Sequence, residues 1–294
     1  MTAVLRYTWK EMLRKRVTLM CTIMTALFWV AYWFIVRALM HDAASYTDPD
    51  TIEGMIARFS HGGIGLGFGF LFATFAVAFL AIFSAVSSIS GEAESGVIQS
   101  VLARPLRRSH YYAGRWLGFV SFGVCYAMIL FASILAITYA HGGIVPEPAA
   151  IARGALLFAA VVPLLVSVTM LGSCFLSPLG NGIGATLLFS IGWLGGMIER
   201  VVSTENDLMQ NEALRTLQTI TGIISMAMPA DGLQQRMMAE LFSVREIAGL
   251  VDVTESLGPF SLAKIPSNAF LGYAVVYTVA LMLLGMLALR RKDF

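Results

Sequence analysis

The densest chemistry in the chain lies in residues 90–115. Glu92 and Glu94 stand two apart, followed by Gly96 and an apolar turn of Val97, Ile98, Val101 and Leu102. Arg104-Pro105 and the basic pair Arg107 and Arg108 close the segment. Carboxylates and guanidiniums spaced this way recognise a surface by charge-assisted hydrogen bonds; they do not make or break covalent bonds. A solvated loop on the cytoplasmic side of a membrane accounts for the arginines. It does not account for the apolar turn, which needs a surface to cover, either a partner protein or the chain's own bundle.

Other candidate chemistry is sparse. A phosphate-binding P-loop needs a lysine that follows glycine. The four lysines, Lys10, Lys15, Lys264 and Lys292, follow Trp9, Arg14, Ala263 and Arg291. No nucleotide cradle is therefore expected, and no GxSxG, HExxH or paired-carboxylate motif lies in or beside an apolar block. The cysteines, Cys21, Cys125 and Cys174, fall inside apolar blocks without CxxC spacing and read as small buried hydrophobes. His41, His61 and His141 fall at one set of block ends, with Asp42 beside the first. Three converging histidines could hold a metal, but no HxH or HxxxH spacing supports it, and no metal is expected. Proton or sodium coupling usually leaves ionisable residues deep in a span. The cores of the apolar blocks contain none, and Arg37 and Arg153 lie close enough to block ends to snorkel.

The elements that must position residues 90–115 are apolar. Of 294 residues, 57% are hydrophobic and 13% charged, and the mean hydropathy is +0.76. Soluble domains carry about 25% charged residues, so this chain has too little polar surface to face water. A net charge of +2 suggests no nucleic-acid partner. Six blocks reach the roughly 20 residues a membrane helix needs: 17–40, 64–89, 116–140, 151–177, 181–198 and 269–289. Pro163 should kink the fourth. The glycines Gly63, Gly65, Gly67 and Gly69 make two overlapping GxxxG spacings, which predict a close helix contact. The first block is too long for a signal-peptide core and lacks a small-residue cleavage pattern, so it is expected to remain as an anchor.

Twelve basic residues cluster in three short segments, near Arg6–Arg16, Arg104–Arg115 and Arg290–Lys292, against four acids, Glu11, Glu92, Glu94 and Asp293. The other eight are spread mostly through a long, mixed-charge loop. The positive-inside rule puts both termini and residues 90–115 in the cytoplasm. Residues 1–16 are amphipathic: Val4, Leu5, Thr8, Trp9, Met12 and Leu13 share one face, with Arg6, Lys10, Glu11, Arg14 and Lys15 opposite, as in a helix lying in the membrane interface. Residues 199–268 should lie outside. Their stripes Leu214, Leu217, Thr221, Ile224 and Leu233, Met237, Leu241, Val244, Ala248 predict two short helices, the second capped by Asp231.

The segment from Glu92 to Arg108, read as acidic-x-x-Gly, apolar helix, small-Arg-Pro, basic cluster, resembles the intracellular segment of ABC-2-type exporter permeases. The resemblance extends along the whole chain, to the amphipathic start and the basic end. It implies an all-α integral membrane fold of the type V exporter kind: six transmembrane helices, an N-terminal elbow helix over residues 1–16, a coupling segment over 90–115 and external helices within 199–268. It also implies a prokaryotic inner-membrane permease that works as a homo- or heterodimer with two ATPase subunits, which bind the ATP. Glu92, Glu94, Gly96, Arg104, Pro105, Arg107 and Arg108 match the family's coupling region. Two alternatives stay open. One is an ABC complex doing maturation work on an extracytoplasmic partner, as the permease associated with nitrous oxide reductase assembly is thought to do. The other is a non-ABC scaffold or sensor subunit.

Overall fold

A computed structural model describes residues 2–46, 51–94, 108–141, 146–204, 212–242 and 265–291. Among these there are ten helices and no strand: α1 (Thr2–Arg14), α2 (Arg16–Tyr46), α3 (Ile52–Ala85), α4 (Ser90–Glu94), α5 (Arg108–Ala140), α6 (Pro148–Ser173), α7 (Pro178–Thr204), α8 (Glu212–Ala227), α9 (Ala230–Leu241) and α10 (Asn268–Arg291). Six of them, α2, α3, α5, α6, α7 and α10, are long and apolar enough to cross a membrane. They match the six blocks. The third span, α5, starts eight residues before its apolar block, at Arg108, because a helix can run past the hydrocarbon while its backbone stays hydrogen-bonded.

The core sits on α3 and α6, whose span segments are 67% and 61% buried, against 11% for α10. Phe70, Phe131 and Phe158 bring α3, α5 and α6 together, with ring centroids 5.2, 5.7 and 6.0 Å apart. The helix α6 continues through Pro163. Close approach between helices relies on glycine. A Cβ on Gly69 would lie 2.8 Å from the Tyr32 ring of α2, and Gly65 sits beneath Val36 and Leu39. The GxxxG expectation is met there. Tyr32 is held in place by its hydroxyl, which pairs with Thr138 at 2.8 Å and donates to the Gly65 carbonyl at 3.3 Å. Cys21 and Cys174 are buried as expected, whereas Cys125 is exposed on α5.

The helices α8 and α9 do not stand clear of the bundle. Ile224 and Met228 of α8 and the turn after it lie on Gly195 and Gly192, where added Cβ atoms would come within 2.9 and 2.7 Å. Gly192 is twelve residues before the end of α7, about 18 Å of helix. The hairpin therefore descends beside the span, through a groove that small residues leave open. On the way back α9 packs against α6, with Leu241 3.0 Å from the Cβ position of Gly154. Asp231 does not cap α9. Pro229 holds the N-cap position without a side-chain bond, and Asp231 lies in the first turn, buried against Gly196 and receiving a hydrogen bond from Gln235 at 2.6 Å. The hairpin thus carries a carboxylate alongside a span that has none in its own sequence core.

The Tyr32–Gly69 contact yields a stability test. Gly69→Ala should cost about 1–3 kcal/mol, since a ring fixed by two hydrogen bonds cannot retreat. Gly184→Ala, which meets nothing within 4 Å, should be neutral or stabilising by up to about 1 kcal/mol. Thermal melts of the two variants in the same detergent would decide; equal stability would contradict the packing.

Candidate functional site: a buried arginine at the terminal end of the bundle

Six spans place both termini at one end of the bundle, and the segment containing α4 returns to that end. The side chain that organises it is Arg115, on the second turn of α5. It is 2% exposed. Tyr111, Arg115 and Gly118 lie on one face of α5 at i, i+4 and i+7 spacing. That face receives α1: a Cβ on Gly118 would meet Thr8 at 2.6 Å. Trp9 donates to Ser121 Oγ at 2.8 Å and packs edge-on against Phe122 at 5.3 Å. Thr8 and Met12 are buried.

Arg115 bridges two carboxylates from different elements. Its Nη1 pairs with Glu11 of α1 and reaches Thr8 Oγ1 at 3.4 Å; its Nη2 pairs with Glu92 of α4 at 2.6 Å. The other Glu92 oxygen accepts from the Tyr111 hydroxyl, and the other Glu11 oxygen pairs with Lys15 at 2.9 Å. Lys15 also donates to the Ser84 carbonyl at 3.1 Å, joining α3 to the cluster. The guanidinium lies 5.0 Å from the Phe119 ring centroid. Two cations and two carboxylates leave the cluster neutral, as a site this dry requires. Burial alone would raise the Glu11 carboxyl, but the Arg115 hydrogen bond and charge, with Lys15, outweigh it and hold Glu11 below its ordinary 4.5.

A second tie secures α4 from α6. Ser173 Oγ accepts from the backbone N–H groups of Ile89 and Ser90, both at 3.1 Å. Asn181, at the start of α7, donates to the carbonyls of Val86 and Thr169, both at 2.9 Å. The chain entering α4 is thus held by α1, α5, α6 and α7.

Of the residues singled out in the sequence, Glu92 turns inward to Arg115 and Tyr111, Glu94 is exposed, and Arg108 donates to the Arg290 carbonyl at 3.4 Å. Gly96, Arg104, Pro105 and Arg107 lie outside the described residues, as does the apolar turn. Glu11 belongs to the inner face of α1, not to the charged outer face. Sequence reading missed Arg115, counting it among cytoplasmic cations. The available signal was Glu11, the one acid in a basic amphipathic helix. At the opposite end, the His141 ring stands edge-on to Trp33 at 4.4 Å, its Nδ1 2.9 Å from the Ile137 carbonyl. Among the described residues no three His, Cys, Asp or Glu side chains gather to hold a metal.

Six helices long and apolar enough to cross a membrane, with an ion cluster at the terminal end of their bundle, define a multi-pass integral membrane protein. The family model for ABC-2 family transporter proteins matches residues 2–294, and the chain belongs to that family. It is thus the membrane permease of an ABC transporter, a subunit without catalytic activity of its own that associates with an ABC ATPase. No curated protein matches the chain.

Removing Arg115 takes the shared guanidinium from two largely buried carboxylates. Arg115→Gln should destabilise by about 3–5 kcal/mol. Arg115→Lys should recover only part of this, since a single ammonium cannot fork to both carboxylates. Because the folded Glu11 value is depressed, its contribution is full above 4.5 and is lost as pH falls through the lowered value. The melting temperature should therefore drop on acidification below about pH 4.5 more steeply in the parent than in Glu11→Gln. Parallel acid profiles would contradict the assignment.

Proposed function

We propose that this chain is the permease half of an ATP-driven exporter, with the terminal end of its bundle in the cytoplasm and residues 90–115 resting on the ATPase. The observation that carries this reading is the placement of α4. The only described helix in the returning segment is fastened by Glu92 to Arg115 of α5 and through it to α1, and by its backbone to Ser173 of α6. A push on this segment therefore reaches three helices at once.

On this reading two ATPase subunits bind ATP and close, and two permease copies, identical or different, receive the motion. The exposed carboxylate of Glu94, with Gly96, Arg104, Pro105, Arg107 and Arg108, faces the ATPase, while Glu92 passes the force inward. Because α1, α4 and the start of α5 share one ion cluster, they move as one piece and shift the spans beyond them, opening a path outward. Maturation work on an extracytoplasmic partner is the alternative reading: α9 is buried along most of its length, whereas α8 leaves Ile220, Ile223 and Met226 exposed.

The docking claim is tested by reversing charge at two positions, because one exposed ion pair is worth only about 0–1 kcal/mol. Glu94→Lys with Arg104→Glu should lower the amount of ATPase that co-purifies, or its stimulation by the permease, without lowering the permease's own melting temperature. The purified permease alone should hydrolyse no ATP. Undiminished assembly and stimulation in the double variant would overturn the docking role.

A further inference from the structure

A cavity of about 660 Å³ opens at the terminal end of the bundle. Its walls are Leu284, Leu287 and Ala288 of α10 and Cys174 and Phe175 of the α6–α7 turn, with Arg291 at one end. Phe175 is 71% exposed, Leu284 52% and Leu287 47%. The cavity is thus a slot open along its side, apolar except at the arginine.

Its depth and charge together indicate an occupant. From Leu284 to Arg291 the helix rises about 10 Å, within the roughly 15 Å of hydrocarbon that one leaflet contributes. Arg291 then stands at headgroup level, with the slot running down beside the upper acyl chain. A guanidinium over an apolar slot matches an anionic head with a chain below it. A neutral lipid would satisfy the slot and waste the cation; a free phosphate would do the reverse.

We propose that this slot is a binding site for an anionic glycerophospholipid of the leaflet facing the termini, its phosphate at Arg291 and an acyl chain along Leu284 and Leu287. A lipid seated there lies against both α10 and the α6–α7 turn, which meet where the Cys174 thiol stands 3.8 Å from the Gly285 carbonyl.

The test uses the purified full chain in a neutral detergent, with phosphatidylglycerol, phosphatidylcholine or inorganic phosphate added, read by native mass spectrometry and thermal melting. Phosphatidylglycerol should be retained and raise the melting temperature more than phosphatidylcholine. Arg291→Gln should weaken phosphatidylglycerol binding about fivefold, the figure for one basic residue at an anionic membrane surface, and narrow the difference between the lipids. Leu287→Trp, which fills the slot, should displace both. Equal binding of the two lipids, an unchanged preference in Arg291→Gln, or a phosphate shift as large as that of phosphatidylglycerol would overturn the proposal. Should Leu287→Trp fail to fold, Arg291→Gln alone still decides it.

Discussion

A guanidinium cannot be taken out of water without partners, and the terminal end of this bundle is built around meeting that demand. Arg115 has almost no contact with solvent. Its two carboxylates come from two elements that are distant in sequence, α1 and α4, and both must be present for either to be worth burying. Replacing buried ion pairs by apolar side chains of similar volume often leaves stability unchanged or raises it. The cluster is therefore better understood as a device of specificity. Apolar contacts would let α1 and α4 slide over α5, whereas a forked pair with fixed donor geometry allows one arrangement only.

The same economy governs the other end. There Arg236, 5% exposed along its side chain, donates to the Pro266 carbonyl at 2.9 Å and to Asn268 Oδ1 at 3.0 Å, and pairs with Glu240 at 2.8 Å. Glu240 also pairs with Arg153 of α6 at 3.3 Å. Tyr273 and Tyr277 of α10 donate to the carbonyls of Met226 and Ala227, where α8 ends. The hairpin is thereby tied to α6 and α10 through polar groups that a helix pair lying free in lipid would have no means of satisfying. Among the described residues, Arg115 at one end and Arg236 at the other are the buried arginines, and each fastens a helix that is not itself a span.

The spans were legible because twenty apolar residues in a row have one physical solution in a bilayer, and Gly65 and Gly69 marked a real helix contact. The charged sites were harder to read. Arg115 borders an apolar block, where any cation is explained by the positive-inside rule. Nothing local tells a snorkelling arginine from one turned inward. Glu92 looked like a surface charge for the same reason, since its partner is 23 residues away. Asp231, just after Pro229, reads as a cap residue in the sequence, and periodicity cannot reveal that Gly196 leaves room for its carboxylate inside the bundle. A search of the span sequences for ionisable groups misses charges that a neighbouring hairpin carries in.

The central claim is that Arg115 makes α1, α4 and the start of α5 one mechanical unit. It is tested most directly by the distance between spin labels on Lys10→Cys of α1 and His110→Cys at the start of α5, both exposed positions. The background should lack the native cysteines, because Cys125 is exposed. The labelled permease would be assembled with its ATPase and measured by pulsed electron paramagnetic resonance with and without ATP. A single narrow distance that nucleotide leaves unchanged, and that broadens in Arg115→Gln, is the predicted result. A distance that shifts with ATP in the parent, or stays equally narrow without Arg115, would contradict the account.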